Sequence, residues 1–465
     1  MNLYNSLTKQ LESFTPLQDN AVRMYSCGPT VYDHIHIGNL SAFIVADTLR
    51  RVLQASGNDV EHVMNFTDVD DKTIRRSRES YPDQEPKLAL EQLTTEYGAI
   101  FLDDMAAVGN DVGAYSFVKA TDAIPHMQEL IRSLYDQKFA YIADDGVYFS
   151  IEAYKNSGKK YGQLVELSES STSEARIAND EYDKENVHDF ALWKTQKPGE
   201  PAWDFELDGH DLAGRPGWHI ECSAMSTEKL GQPFDIHTGG VDLKFPHHEN
   251  EIAQSTAGKD SPAYAKLFVH NEHLLVGGQK MSKSLNNFIT LKDIIGKGYD
   301  PLAFRLLVLQ SHYRNQAHFT WENLQASQNA LKSLHAWSDL KFQNLESERL
   351  QTNYQEALRK FKNEIADDLK TPAALAWLNG MINRVEELGA DSRAISDAVD
   401  FVDSILGLQL SERQDITGEQ KQAIAEREEA RMNTDWSKSD ELRDRLAEQG
   451  IGLNDTPNGA IWYRI

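Results

Sequence analysis

The sequence predicts an α/β protein in which a parallel sheet is interrupted by an insertion and followed by a long helical region. Three observations carry this. First, a short apolar run (Ala21, Val22, Met24, Tyr25) reads as a buried strand. It feeds, through a loop rich in small residues, a segment where Leu40, Phe43, Ile44 and Leu53 make an apolar stripe at helical spacing. Second, residues 60–66 read as another strand ending in the polar cluster 67–72, and apolar strands with glycine turns resume over 217–288, as the second half of one sheet would. Third, helical periodicity starts at Pro301 and continues with few breaks through residue 406.

Composition sets the bounds. A chain of 465 residues with 40% hydrophobic content is enough for roughly two to four domains with their own cores. No apolar run approaches the ~18 residues of a membrane span, and Met1–Ser6 lacks the basic and apolar regions of a signal peptide. With two cysteines, Cys27 and Cys222, a disulfide framework is excluded. The expectation is a soluble, cytoplasmic protein with no membrane association. Lys and Arg total 47 against 72 Asp and Glu, a net charge of −25. That balance argues against nonspecific nucleic-acid binding, which needs basic surface, but allows a local basic patch on an acidic body.

Taken in order, residues 1–115 read as the first half of the sheet, with a helix across 87–102. Residues 116–205 read as an insertion: a helical pattern over 118–139, a hairpin over 140–151 around Asp144-Asp145-Gly146, and a polar, patternless stretch over 168–184. So few apolar groups there leave chain entropy uncompensated, so the stretch is expected to be flexible. Residues 206–275 form the second half of the sheet, 276–325 a lysine loop and the first helix after it, and 326–410 a helical region. The tail, 411–465, holds a helix over 417–449, a turn at 450–453 and a short apolar end at Ile461-Trp462-Tyr463. No internal repeat is visible.

Three stretches carry chemistry. The loop after the first strand bears a thiol (Cys27), hydroxyls and two imidazoles (His34, His36), where a strand feeding a helix presents N–H groups to phosphate. His247 and Glu251 stand at i, i+4 on a helix expected to begin near Pro246, so they share one face, with His248 and Glu249 turned away. Such a pair can ligate one Zn²⁺ together with two thiolates, for which Cys27 and Cys222 are the candidates. On spacing alone, two small core residues and a solvated helix face remain an open alternative, because neither cysteine sits in a CxxC pair. In Gly277-Gly278-Gln279-Lys280-Met281-Ser282-Lys283-Ser284-Leu285, Lys280 and Lys283 can reach one polyphosphate while the glycines let the loop close. By itself such a loop is more often an exposed turn.

His36-Ile37-Gly38-Asn39 followed by Lys280-Met281-Ser282-Lys283-Ser284 resembles the paired signatures of class I aminoacyl-tRNA synthetases. Asn39 departs from the family's second His: it can donate a hydrogen bond but carries no proton. Cys27-Gly28-Pro29-Thr30-Val31-Tyr32-Asp33, the segments 65–72 and 215–225, and 245–254 are similar to the cysteinyl-tRNA synthetase family. The similarity is strong over 1–320 and weaker to the end.

The resemblance implies a Rossmann-type catalytic domain with an insertion, a stem-contact region after the lysine loop, a helical bundle and a small anticodon-binding tail. It implies cysteine--tRNA ligase activity on L-cysteine, ATP and tRNA(Cys), and a monomer. One zinc would be held by Cys27, Cys222, His247 and Glu251, taking the substrate thiolate as a further ligand; this separates cysteine from serine far better than apolar pocket contacts, which discriminate by only ~1–3 kcal/mol, so no editing domain is needed. Gly28, Thr30, Thr67, Trp218 and His237 would line the cysteine pocket, with Trp218 as a core aromatic and Thr30 as a helix cap the plainer readings. His36, Gly38, Asn39, Lys280 and Lys283 would bind ATP, which brings Mg²⁺; His36, Asn39, Lys280 and Lys283 would act in catalysis by positioning and charge, without a covalent intermediate. Arg431, Trp436, Asp440 and Asp455 would read the anticodon, against the alternative of a Trp buried between tail helices. Two rivals stand beside this. One is a related enzyme joining cysteine to an amino sugar, which has no use for an anticodon tail. The other is a catalytically silent tRNA-binding module, supported only by Asn39.

Overall fold

Five strands run parallel at the centre of the computed structural model, which describes residues 1–166, 189–257, 263–281, 287–343, 350–383, 392–456 and 459–465. Their order is Ala265–Asn271, Phe234–Gly240, Ala21–Ser26, Asp59–Phe66 and Tyr115–Lys119. The strand Ala21–Ser26 is central, and Val22, Met24 and Tyr25 on it are buried. The helix Ile37–Ala55 follows, packing Leu40, Phe43, Ile44 and Leu53 inward, as the apolar stripe requires. It is capped by His36, whose Nδ1 accepts from the Asn39 N–H at 3.1 Å. The helix Asp71–Ser80 begins with a capping box between Asp70 and Thr73, and Pro86–Ala107 covers the residues expected to be helical at 87–102.

The helix expected over 118–139 is shorter, Ile124–Asp136. Phe117 and Val118 instead pair with Met64 and Asn65 at the edge of the parallel sheet. Pairing of this kind outweighs a local helical pattern, because strand preference depends mainly on neighbours across the sheet. The expected hairpin is present as Ala140–Ala143 and Gly146–Phe149. It extends into a four-stranded antiparallel sheet with Phe190–Thr195 and Gly214–Pro216. Phe149 stacks on Phe190 with ring centroids 5.0 Å apart. With Trp193 they join a core that is continuous with Tyr25, Val63, Cys222 and Phe268. Burying each such large side chain stabilises by roughly 1.5–3 kcal/mol. The polar stretch 168–184 lies outside the described residues.

The chain divides into two compact units, one of residues 1–294 with 313–318, the other of 295–312 with 319–465. The second unit is mainly helical: Pro301–Leu309, Trp321–Asp339, Leu350–Ile365, Thr371–Ile382 and Ser392–Leu406, then the tail. Asp339, buried, accepts from Arg413 at 2.8 and 2.6 Å and from Arg464 at 2.7 Å. The single tail helix expected over 417–449 is two helices, Gly418–Met432 and Trp436–Glu448. Thr434 turns left-handed at φ 58°, and the Asp435 carboxylate caps the second helix by accepting from the Lys438 N–H. Short polar side chains compete with the helix backbone in this way. The apolar end closes a hairpin of Ile451–Thr456 and Gly459–Arg464. Among the described residues no helix is long and apolar enough to cross a membrane.

Candidate active site

The strand order, not the strand direction, reverses between Ala21–Ser26 and Phe234–Gly240: from the former the chain builds toward Asp59–Phe66, from the latter toward Ala265–Asn271. Loops leaving the carboxyl ends of such a pair splay apart, and the crevice between them is where open α/β sheets bind ligands. Cys27 is the first residue after the central strand, its N–H donating to the Thr238 carbonyl on the neighbouring one. Cys222 comes from the helix Trp218–Leu230 and Glu251 from Glu249–Ala257. The structure brings the four expected ligands together: a sulfur, nitrogen or oxygen from each of Cys27, Cys222, His247 and Glu251 lies within 4.8 Å of the others. The sulfurs are 3.8 Å apart, Cys27 Sγ is 3.7 Å from Glu251 Oε1, and His247 Nε2 is 3.0 Å from the same oxygen. This buried cluster is able to hold a metal ion.

Its electrostatics follow from burial. Desolvation pushes the Cys27 thiol well above its ordinary range, and Cys222 beside it adds to the effect. Burial also opposes a Cys222 thiolate, but the hydrogen bond donated by the Cys27 thiol, with His247 nearby, brings Cys222 down to about 6. One thiolate per pair is the arrangement that two close thiols favour. Burial likewise disfavours a charged Glu251, yet His237 and His247 hold it well below the usual carboxylate range. His237 Nε2 sits 2.7 Å from Glu251 Oε2, to which the Tyr264 hydroxyl donates at 3.0 Å.

His248 does not turn away as the i, i+4 argument expects: its Nε2 is 3.3 Å from Cys27 Sγ. The reason is local. Residues Lys244–His248 form a π-type turn with Phe245 in extended geometry, so α-helical facing rules do not apply across it. His248 Nδ1 in turn meets His270 Nε2 at 2.8 Å, and His270 Nδ1 meets the Ser6 hydroxyl. Glu249 points elsewhere, accepting backbone N–H groups from Gly162, Gln163 and Leu164. Sequence reasoning also missed His219, whose Nδ1 is 2.8 Å from His247 Nδ1, and Tyr264. His219 stood inside a quoted motif and signalled itself as a histidine next to Trp218; Tyr264 gave no signal.

Above the cluster lies a cleft of about 370 Å³. Cys27, Gly28, Thr30, His36, Gly38, Asn39, Trp218 and Lys280 all line it. Thr67 and His237, expected to line the pocket, are fully buried and sit behind this lining: the Thr67 hydroxyl donates to Glu221 and His237 faces Glu251. Trp218 is half-buried and stacks on His247 at 4.3 Å. Thr30 caps no helix; it pairs with Thr67 in a single parallel bridge. Gly28 N–H donates to Asn65 Oδ1 at 2.8 Å, and a Cβ at Gly28 would run into the Asn65 carbonyl. Burial, with Lys280 nearby, lowers His36 to about 4, which leaves its Nδ1 free of a proton to cap the helix. Lys280 is exposed, 3.4 Å from Asp242. Lys283 lies outside the described residues.

In the tail, Trp436 is exposed rather than buried between helices, with the Arg431 guanidinium 5.8 Å above its ring. Asp455 is gripped by Arg427 at 2.7 and 2.9 Å and by Arg431 at 3.1 Å. Asp440, one turn on from Trp436, is exposed.

A parallel sheet with this switch point, and a helix N-terminus opening on it, is the general build of nucleotide-binding α/β folds, and the chain shares it with class I tRNA synthetases. The structure is similar to that of Mycobacterium tuberculosis methionyl-tRNA synthetase bound by methionyl-adenylate (TM-score 0.60, 11% identity, covering 84% of this chain and 93% of that one). It is also similar to LeuRS from the LeuRS–tRNA–LeuAMS complex of Agrobacterium radiobacter K84 (TM-score 0.59, 12% identity, 86% of each chain). Residues 13–329 match the family described as tRNA synthetases class I (C) catalytic domain. The chain is 40% identical to cysteine--tRNA ligase of Brachyspira hyodysenteriae over 99% of its length and 98% of the relative's. Against cysteine--tRNA ligase of Chlamydia abortus it is 41% identical, over 98% and 96%. The chain belongs to the cysteine--tRNA ligase family of class I synthetases.

Proposed function

We propose that this protein activates L-cysteine with ATP and transfers it to tRNA(Cys), and that a zinc ion held by Cys27, Cys222, His247 and Glu251 selects the amino acid. One observation carries the zinc reading. A tetrahedral site with Zn–S bonds of about 2.3 Å places its sulfurs about 3.8 Å apart, and the Cys27 and Cys222 sulfurs are separated by 3.8 Å. When bound, zinc supplies a thiophilic position that prefers the cysteine thiolate to the hydroxyl of serine.

The chain's own residues do the rest. His237 and Tyr264 hold the second oxygen of Glu251, which fixes the carboxylate's orientation. Gly28, Thr30 and Trp218 form the cleft wall against the amino acid, with Thr67 and His237 supporting it from behind. The cysteine carboxylate attacks the α-phosphorus of ATP in line, giving cysteinyl-adenylate and pyrophosphate. A terminal ribose hydroxyl of tRNA then attacks the acyl carbon and releases AMP. Neutral His36, with Gly38 and Asn39 at the helix N-terminus, meets the phosphates of Mg²⁺-bound ATP. Lys280 and Lys283 balance the charge that grows on the leaving pyrophosphate. Arg431, Trp436, Asp440 and Asp455 form the anticodon-reading surface of the tail.

The test is cysteine-dependent ATP–pyrophosphate exchange on purified protein, followed by charging of tRNA(Cys) against an amino-sugar acceptor. Exchange and tRNA charging are expected. Exchange with transfer only to the sugar, or no exchange at all, would overturn the proposal.

A further inference from the structure

Beside the active-site cleft, the helix Asp71–Ser80 carries a row of cations that the reaction chemistry leaves unused. Lys72, Arg75 and Arg78 stand at i, i+3 and i+6 and are exposed, while Thr73, Ile74 and Ser77 pack inward on the opposite side. The row spans about 9 Å of helix axis. It begins at the cleft, which Lys72 helps to line. It then runs into a groove of about 570 Å³ lined by Arg75 and Arg78. The carboxylates of that groove are already matched by other cations. Asp71 is bound by Arg215 and, at 3.2 Å, by Lys194; Glu79 is 3.8 Å from Arg76; Glu200 is 4.0 Å from Arg215. The guanidinium groups of Arg75 and Arg78 have no ion-pair partner among the described residues. In a chain of net charge −25, such a track facing solvent is a local exception, and its first cation, Lys72, lines the cleft.

We infer that this track binds the phosphates of the single-stranded 3′ end of tRNA and leads that end into the cleft. The inference rests on the reading of the chain as a tRNA-charging enzyme. A cationic groove that follows a backbone without touching base edges suits a strand that must slide in by its end.

The experiment measures binding of a tRNA(Cys) transcript to the full chain across a salt series, for wild type, R75Q/R78Q and R75K/R78K. Binding by R75Q/R78Q should weaken about tenfold, and its salt slope should fall by about 0.7 per lost phosphate contact. R75K/R78K should keep the wild-type slope. A transcript lacking the single-stranded 3′ end should bind wild type and R75Q/R78Q equally. Cysteine-dependent pyrophosphate exchange should be the same in all three proteins. An unchanged slope in R75Q/R78Q, or a loss that persists with the shortened transcript, would overturn the inference. Because binding is read directly, this outcome is distinct from a wild type that fails to charge tRNA, which would sink the functional reading instead.

Discussion

At the scale of single residues, the site depends on two kinds of position: donors that converge and backbones that approach closely. Cys222 is the fully buried thiol of the pair, and replacing it by Ser substitutes a poor zinc ligand for a good one. C222S is expected to emerge from purification with its metal content lost and cysteine-dependent exchange reduced about 100-fold or more. Elemental analysis alongside the exchange assay checks both, and a fully loaded, active C222S would remove this cysteine from the site. Gly28 is the second kind. A side chain there meets the Asn65 carbonyl, so Gly28→Ala should destabilise the protein by about 1–3 kcal/mol, as overpacking does, read as a lower urea midpoint. That Cys27, Cys222, His247 and Glu251 could converge was legible as one of two open readings, from two thiols and a His and a carboxylate four residues apart; spacing alone did not decide it, and the family resemblance did. The orientation of His248 was not, since it depends on a π-type turn that leaves no mark in residue spacing. Nor was Tyr264, which reaches Glu251 only through the packing of distant elements.

At the scale of elements, strands and helices with clear periodicity were readable, and their ends were set by neighbours. The helical pattern around Val118 gave way to sheet pairing with Asn65, a contact between residues far apart in the chain. The tail helix broke where Asn433-Thr434-Asp435 offered its own cap, a local signal hidden inside a longer pattern. That break presents Trp436 at the first turn of a new helix, exposed and beside Arg431. Trp436→Ala should therefore raise the KM for tRNA with adenylate formation unchanged, in line with the loss of one stacking platform, about 1–3 kcal/mol. An unchanged KM would assign the ring no part in tRNA binding. The pair Asp455–Arg427 joins the first tail helix to the terminal hairpin. The hydrogen bond from Arg427 outweighs partial burial and holds the Asp455 carboxyl below its ordinary value. A depressed carboxyl stabilises the fold above its unfolded pKa, near ~3.9, and loses that contribution as pH falls through the folded value. The unfolding midpoints of wild type and D455N should thus differ most above about pH 5 and converge on acidification. A gap independent of pH would mean that the ion pair does not carry it.

At the scale of the whole molecule, the sheet order could be anticipated from the sequence only as two halves separated by an insertion. Which strands become neighbours is fixed by tertiary packing. It is this order, with the two halves meeting at Ala21–Ser26 and Phe234–Gly240, that draws the thiol of Cys27 to a carboxylate 224 positions further along the chain. Biosynthesis inherits a timetable from that separation. During translation the first sulfur is made long before the last donor, so a nascent polypeptide stopped short of Glu251 has thiols but no complete seat for an ion. A zinc ion held as proposed would then be taken up only after residue 251 has been made, because metal binding needs its full donor set. Loss of metal uptake upon truncation before residue 247, in ribosome-stalled intermediates, is the corresponding signature.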